Sequence, residues 1–148
     1  MTFTEITLHG MLTAFYKENE LEIENGWEFL SGVYFSEAAL TENGDIMCAY
    51  SLSERFGETV LDYIAVSDGL RGKGLGVAMI ERVKDKVRRG GKSKVYLTAR
   101  ARDFFERQGA FELPETHPLY LKLLGECAEC SQRNNVCFPC VMFFNIEE

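Results

Sequence analysis

The sequence predicts an α+β fold with a mixed, mainly antiparallel sheet flanked by helices. Three observations carry that prediction. Strand-like runs separated by turn residues fill 34–66 and read as an antiparallel meander. Apolar residues then recur at helical spacing over 75–87. A short strand and a short helix follow, so the centre of the chain reads strand, glycine loop, helix, strand, helix. A strand joined to the next through a crossover helix forms a parallel pair.

Each element has its own signal. Thr4 to Leu8 alternates as a short strand would, and Met11 to Glu24 carries Met11, Leu12, Phe15, Tyr16, Leu21 and Ile23 near helical spacing. Trp27, Phe29 and Leu30 follow as core or lid residues. Tyr34 to Leu40 and Ile46 to Leu52 are hairpin strands, and Asn43-Gly44 between them supplies the positive φ angles of a tight turn. Ser53 to Glu58 is a second turn, and Thr59 to Val66 is rich in β-formers. From Leu75 to Val87 one face is apolar and the other carries Glu81, Arg82, Lys84, Asp85 and Lys86; Gly90-Gly91 ends the helix. Val95 to Thr98 is a strand, and Arg102 to Gln108 is a helix closed by Gly109. Ala110 to Leu113 begins a strand cut by Pro114, Pro118 to Leu124 forms a short helix, and Val141 to Ile146 is the last strand.

A length of 148 residues suits one domain with one core. Hydrophobic residues at 46% and charged residues at 26% are those of a folded globular chain. A formal net charge of -7 gives no field to gather nucleic acid, and no apolar run is long enough to span a membrane. No secretory signal opens the sequence, so the expected compartment is the cytoplasm, where thiols stay reduced. The expected state is a monomer or homodimer. Cys48, alone in a strand, reads as a buried inert thiol.

The segment Ser67-Asp68-Gly69-Leu70-Arg71-Gly72-Lys73-Gly74-Leu75-Gly76 joins the third long strand to the long helix. A helix N-terminus offers unpaired amides and the positive end of the helix dipole. Glycines let those amides close on an anion, and Arg71 and Lys73 add charge. The segment is a phosphate cradle, yet it lacks both the Walker lysine-serine pattern and the dinucleotide glycine spacing. Instead it reads Arg-x-x-Gly-x-Gly.

Val60-Leu-Asp-Tyr-Ile-Ala-Val66 followed by Arg71-Gly-Lys-Gly-Leu-Gly76 resembles the acetyl-CoA-binding signature of the GNAT N-acetyltransferases. Ala101-Arg-Asp-Phe-Phe-Glu-Arg-Gln-Gly-Ala110 is similar to that family's Ala-x-x-Phe-Tyr-x-x-x-Gly-Phe segment. The resemblance covers about residues 33–113. It implies that amides around Arg71, Gly72, Lys73, Gly74, Leu75 and Gly76 bind the pyrophosphate of acetyl-CoA, and that backbone groups of Ile64, Ala65 and Val66 hold its pantetheine arm. Phe104 joins this cofactor set. It further implies direct attack of a primary amine (a small molecule, an amino acid or a protein N-terminus) on a thioester polarised by backbone N–H. Asp62 and Glu58 are the candidate bases, with Glu37 a third. The family's tyrosine near the start of the short helix is replaced by Phe105, so Tyr96, Tyr63 or water must supply that proton, or the thiolate leaves unaided. The alternative is a non-catalytic acyl-CoA sensor or partner-binding module.

Cys127-x2-Cys130 and Cys137-x2-Cys140 form two paired hooks suited to a structural Zn²⁺, with an iron–sulfur cluster and two disulfides as alternatives. In the family pattern these hooks fall between the last two strands, so 114–140 is expected as a Cys-rich insertion of a single 1–148 domain. His117, close to the hooks, is a candidate ligand or acceptor-site group, though a surface role suits it better. Of the basic residues from Arg82 to Lys94, mostly a solvated helix face, one or two are candidates for the 3′-phosphate of CoA.

Overall fold

A computed structural model describes residues 2–19, 30, 32–99, 101–124 and 140–146. These residues build β1 (Phe3–Glu5), α1 (His9–Glu18), β2 (Val33–Leu40), β3 (Ile46–Arg55), β4 (Glu58–Val66), α2 (Leu75–Arg89), β5 (Lys94–Ala99), α3 (Arg102–Arg107), β6 (Phe111–Glu112), α4 (Tyr120–Leu124) and β7 (Cys140–Asn145). The strands form one sheet in the order β1-β2-β3-β4-β5-β7-β6. Among the described residues only β4 and β5 pair in parallel, as the crossover through α2 demands. The α+β class with a mixed, mainly antiparallel sheet is therefore the observed one.

Strand alternation divides the apolar residues between two faces. One face packs Tyr50, Leu52, Leu61, Leu97 and Met142 against Met79, Ile80, Val83 and Val87 of α2. Each such side chain contributes about 1.5–3 kcal/mol when fully buried. The opposite face carries two separate clusters. Leu12, Phe15 and Tyr16 of α1 cover Ala38 and Ala49, while Tyr120 and Leu124 of α4 cover Val60, Tyr96 and Val141. The boundary between these clusters runs along β4 and β5.

Charge pairs fix α2 on the sheet. Arg82 donates two hydrogen bonds to Glu37, 2.8 and 2.7 Å long, and the Tyr50 hydroxyl donates a third at 2.5 Å. Glu37, one of the candidate bases, is thus held as a structural anchor.

Several boundaries differ from those the sequence suggests. The first strand is only Phe3–Glu5, and α1 begins at His9; residues 20–29, with Trp27 and Phe29, lie outside the described residues. In the first hairpin only Gly44 has positive φ, at 87°, and Asn43 does not. The Gly44 amide donates to the Thr41 carbonyl and the Thr41 amide to the Asp45 carbonyl, so one αL glycine after an ordinary turn closes the loop. The second turn shrinks to Phe56-Gly57, because β3 continues to Arg55 and β4 starts at Glu58. Strand β6 keeps two residues before Pro114, and β7 inserts between it and β5.

Candidate active site

The site begins between β4 and β5. Strands β3 and β4 share eight ladder pairs, whereas β4 and β5 share the single pair Val60↔Tyr96 among the described residues. Beyond that pair no further ladder pair joins the two strands among the described residues. A cleft at the carboxyl ends of parallel strands is where α/β folds take ligands.

A β-bulge in β4 lies two residues past Val60. Ser51 pairs with Tyr63 and Leu52 with Leu61, so Asp62 is the extra residue of β4. A bulge turns side chains that strict alternation would send elsewhere. Leu61 and Ile64 both meet the α2 side, and Tyr63 and Ala65 the α1 side. Tyr63 stacks on Tyr16 at 5.0 Å, and the Tyr16 hydroxyl is hydrogen-bonded to Ser51 at 2.7 Å. Past the bulge, Ile64, Ala65 and Val66 are laddered to β3 on one side and are not paired to β5 on the other, among the described residues.

The glycine loop leads from the end of β4 into α2. Gly72 and Gly74 have φ of 80° and 83°, and a Cβ at either would meet nothing within 4 Å. The loop thus needs glycine for its backbone and leaves open space above it. Gly74 is the N-cap of α2, without a side-chain cap, and its carbonyl accepts the first helical bond from Ala78. The amides that precede Ala78 in the first turn of a helix have no intrahelical acceptor. Gly76 serves a different need: a Cβ there would lie 3.0 Å from the Phe104 ring. Phe104 therefore packs directly beside the cradle. Arg71 and Lys73 are exposed, and Arg71 reaches back to the Val66 carbonyl at 3.3 Å and to Asn19 at 3.2 Å. The loop is thereby tied to the end of β4 and to α1.

The candidate acid–base groups fall into two pairs. Asp62 is bound by Arg55 at 2.6 Å and accepts a hydrogen bond from the Ser53 hydroxyl at 2.8 Å. Tyr96 is hydrogen-bonded to Glu58, and burial followed by that carboxylate pushes its phenol above the ordinary range. Tyr96 therefore holds its proton at neutral pH. Phe105 is buried in the core, edge-on to Phe104 at 5.1 Å. Arg55 and Ser53 were not legible as partners of Asp62, because the bulge that brings them together depends on cross-strand register.

Other candidates have settled roles. The His117 ring accepts a hydrogen bond from the Leu119 amide at 3.1 Å. The cations of α2 are engaged along its length: Arg82 with Glu37, Lys86 over the Phe35 ring at 4.0 Å, and Arg88 and Arg89 with Asp85. None of these stands at the glycine loop, which lies at the other end of the helix. A cleft of about 330 Å³ lined by Tyr34, Glu54, Thr59, Lys86 and Arg89 sits at the C-terminal end of α2, against the start of β4 and at the opposite end of that strand from the glycine loop.

Cys48 is fully buried. Cys127, Cys130 and Cys137 lie outside the described residues. Cys140 opens β7 opposite Ala99 and packs in the core, where burial raises its thiol. Among the described residues no cluster of three or more His, Cys, Asp or Glu is gathered as a metal site, so the expected zinc knuckle is not seen there. No helix of the described residues is long and apolar enough to cross a membrane.

A parallel strand pair joined by one ladder pair among the described residues, and a glycine loop that leads from the end of β4 into α2, make up the candidate site. The model of the acetyltransferase (GNAT) family matches residues 7–110, and the chain belongs to that family of acetyltransferases. Solved structures agree on the fold. N-acetylglutamate synthase from Neisseria gonorrhoeae, complexed with coenzyme A and N-acetyl-glutamate, is 15% identical with a TM-score of 0.70, over 100% of this chain and 36% of that one. The ribosomal-protein-S18-alanine N-acetyltransferase of Escherichia coli is 17% identical with a TM-score of 0.66, over 99% and 94%. A GNAT-family acetyltransferase of Staphylococcus aureus is 14% identical with a TM-score of 0.66, over 99% and 100%. No curated protein matches the sequence.

Proposed function

We propose that the protein moves the acetyl group of acetyl-CoA to a primary amine by direct attack. The observation that carries this reading is the single ladder pair between β4 and β5 among the described residues, with the amide cradle of Gly72–Gly76 following β4. Pyrophosphate sits on the cradle with Arg71 and Lys73 at its flank. The pantetheine arm runs along Ile64, Ala65 and Val66 as an added strand, so the thioester reaches the bulge. There a backbone N–H of β4 polarises its carbonyl.

The amine nitrogen attacks the carbonyl carbon, the C–S bond breaks, and the thiolate departs. The nitrogen loses two protons to water held by the nearby carboxylates, one before attack and one as the amide forms, and the thiolate takes up one. Asp62, fixed by Arg55 and Ser53, attracts the ammonium at the bulge. Glu58 and Tyr96 form the proton-handling pair, with Tyr96 as donor and Glu58 as the carboxylate behind it. This arrangement replaces the hydroxyl that Phe105 lacks.

Thiol release from acetyl-CoA, measured against a panel of small amines, amino acids and peptides, tests the proposal. Turnover on at least one acceptor class supports transfer. Tight acetyl-CoA binding without turnover on any acceptor sinks it and supports the sensor reading, which the buried, hydroxyl-free Phe105 favours.

Zinc at Cys127, Cys130, Cys137 and Cys140 rests on the spacing of the hooks. Metal analysis of the purified protein decides: about one zinc per chain, lost in Cys137→Ser, supports the knuckle, and a metal-free wild type removes it.

A further inference from the structure

The cleft at the C-terminal end of α2 stands outside the proposed transfer site. Helix α2 runs 15 residues, so the glycine loop at its start lies about 22 Å away at ~1.5 Å per residue. Two local events shape the cleft. In β2 the register shifts between Val33 and Phe35, so Tyr34 is the extra residue of that strand, and it lines the cleft. After α2 the amides of Gly90, Gly91 and Lys92 donate back to the carbonyls of Lys86, Arg88 and Val87, at 3.1, 3.0 and 3.2 Å. Those bonds close the helix end and fix the backbone of Lys92, another lining residue. A volume of about 330 Å³ falls at the small end of the range of small-molecule sites.

Charge is segregated here. Of the 16 lysines and arginines seven fall in 82–94, where Asp85 is the one acidic residue, although the chain carries a net charge of -7. Three of the seven, Lys86, Arg89 and Lys92, line the cleft. The sheet contributes Glu54, paired across the ladder with Thr59, and Tyr34, whose hydroxyl is bonded to the buried Thr59. With its hydroxyl engaged, the half-exposed Tyr34 ring serves as an apolar wall beside Val87. Arg89 meets Asp85 through Nε at 3.0 Å, so the cleft and its border hold three cations against two carboxylates.

We propose that this cleft is a second binding site, for an acidic amino acid. The two carboxylates of such a ligand meet Lys86, Arg89 and Lys92, its ammonium meets Glu54, and its methylenes lie against Tyr34 and Val87. A plain dianion would bring a like charge to Glu54, whereas a ligand with an ammonium satisfies it. The single net negative charge of the ligand answers the single net positive charge of the walls.

Amide NMR titrations of the full chain with glutamate, glutarate and inorganic phosphate test the site. Glutamate is expected to bind at about 1 mM or tighter, with shifts centred on Thr59 and Gly90 to Lys92. Glutarate, which lacks the ammonium, and phosphate are expected to bind at least about tenfold more weakly. Arg89→Ala and Lys92→Ala, at exposed positions, are each expected to weaken glutamate at least about fivefold. Glu54→Gln is expected to bring glutamate and glutarate within about threefold of each other. The site is overturned by no glutamate shifts up to about 10 mM, by glutarate or phosphate binding wild type as tightly as glutamate, or by glutamate affinity unmoved in both cation variants. Shifts centred on β4 past the bulge and on the glycine loop overturn it too, since glutamate would then be held at the transfer site. None of these readouts needs turnover, so failure of acetyl transfer leaves this site to be judged by binding alone.

Discussion

In the proposed transfer, Tyr96 on a neighbouring strand takes the place of the hydroxyl that Phe105 lacks. Phe105 carries no ionisable proton, so that position cannot protonate the thiolate. Tyr96 is paired with Val60 of β4 and has Glu58 as partner, its phenol raised by burial first and by that carboxylate second. Tyr96→Phe keeps the shape and removes the proton; kcat is expected to fall about 10²-fold or more with KM for acetyl-CoA within about threefold. An unchanged kcat would assign leaving-group protonation to water. The same logic of single positions governs the cradle. Gly74→Ala forces a side chain into αL geometry at a cost of roughly 1–2 kcal/mol. CoA affinity, measured by calorimetry, is expected to weaken at least about tenfold as the amides turn away. Unaltered affinity in that variant would place the pyrophosphate elsewhere.

Helix α2 connects the cradle to the rest of the sheet, and its anchor is the Glu37–Arg82–Tyr50 cluster. Burial alone would raise the Glu37 carboxyl, but hydrogen bonds from Arg82 and Tyr50 and the charges of Arg82 and Lys86 outweigh it, so the net shift is downward. A carboxyl depressed in the folded state stabilises above its unfolded pKa, and that stability is lost as pH falls through the folded value. Glu37→Gln is therefore expected to cost about 1–2 kcal/mol at pH 7, discounted because Arg82 is partly exposed. The deficit should vanish below the ordinary carboxylate range; thermal melts from pH 7 down to pH 3 measure it, and a constant deficit would show that the charge is not the cause. Much of this element was readable in advance. The apolar stripe of α2, its Gly90-Gly91 end and the glycine loop before it are local patterns, and local patterns survive in a linear sequence. The Glu37–Arg82 pair and the Asp62 bulge were not readable, since both depend on which residues face each other across strands. Nor was the two-residue β6: Pro114 signalled a stop, but only the insertion of β7 beside β5 determines what remains to be paired.

At the scale of the molecule, one ladder pair joins two halves of the sheet among the described residues. Strands β1 to β4 form one half and β5, β7 and β6 the other, with α2 packed across both on one face. The opposite face is divided between the α1 and α4 clusters, so little there bridges the gap. A ligand lying between β4 and β5 supplies the missing ladder and should stabilise the whole chain rather than one loop. Binding to the folded state alone adds about 2.7 kcal/mol at a ligand concentration of 100 Kd. A chain of this length gains about 2–4 °C in Tm per kcal/mol, so acetyl-CoA is expected to raise Tm by roughly 5–10 °C. Hydrogen exchange locates the effect: amides of Tyr63 to Val66 and of the Gly72–Gly76 loop should slow, while those of β1 and β2 change only as far as global stability does. The glycine loop alone would protect only itself. Protection of the loop without slowing in β4 would leave the pyrophosphate site standing and remove the pantetheine path, and with it the geometry on which acetyl transfer at the bulge depends.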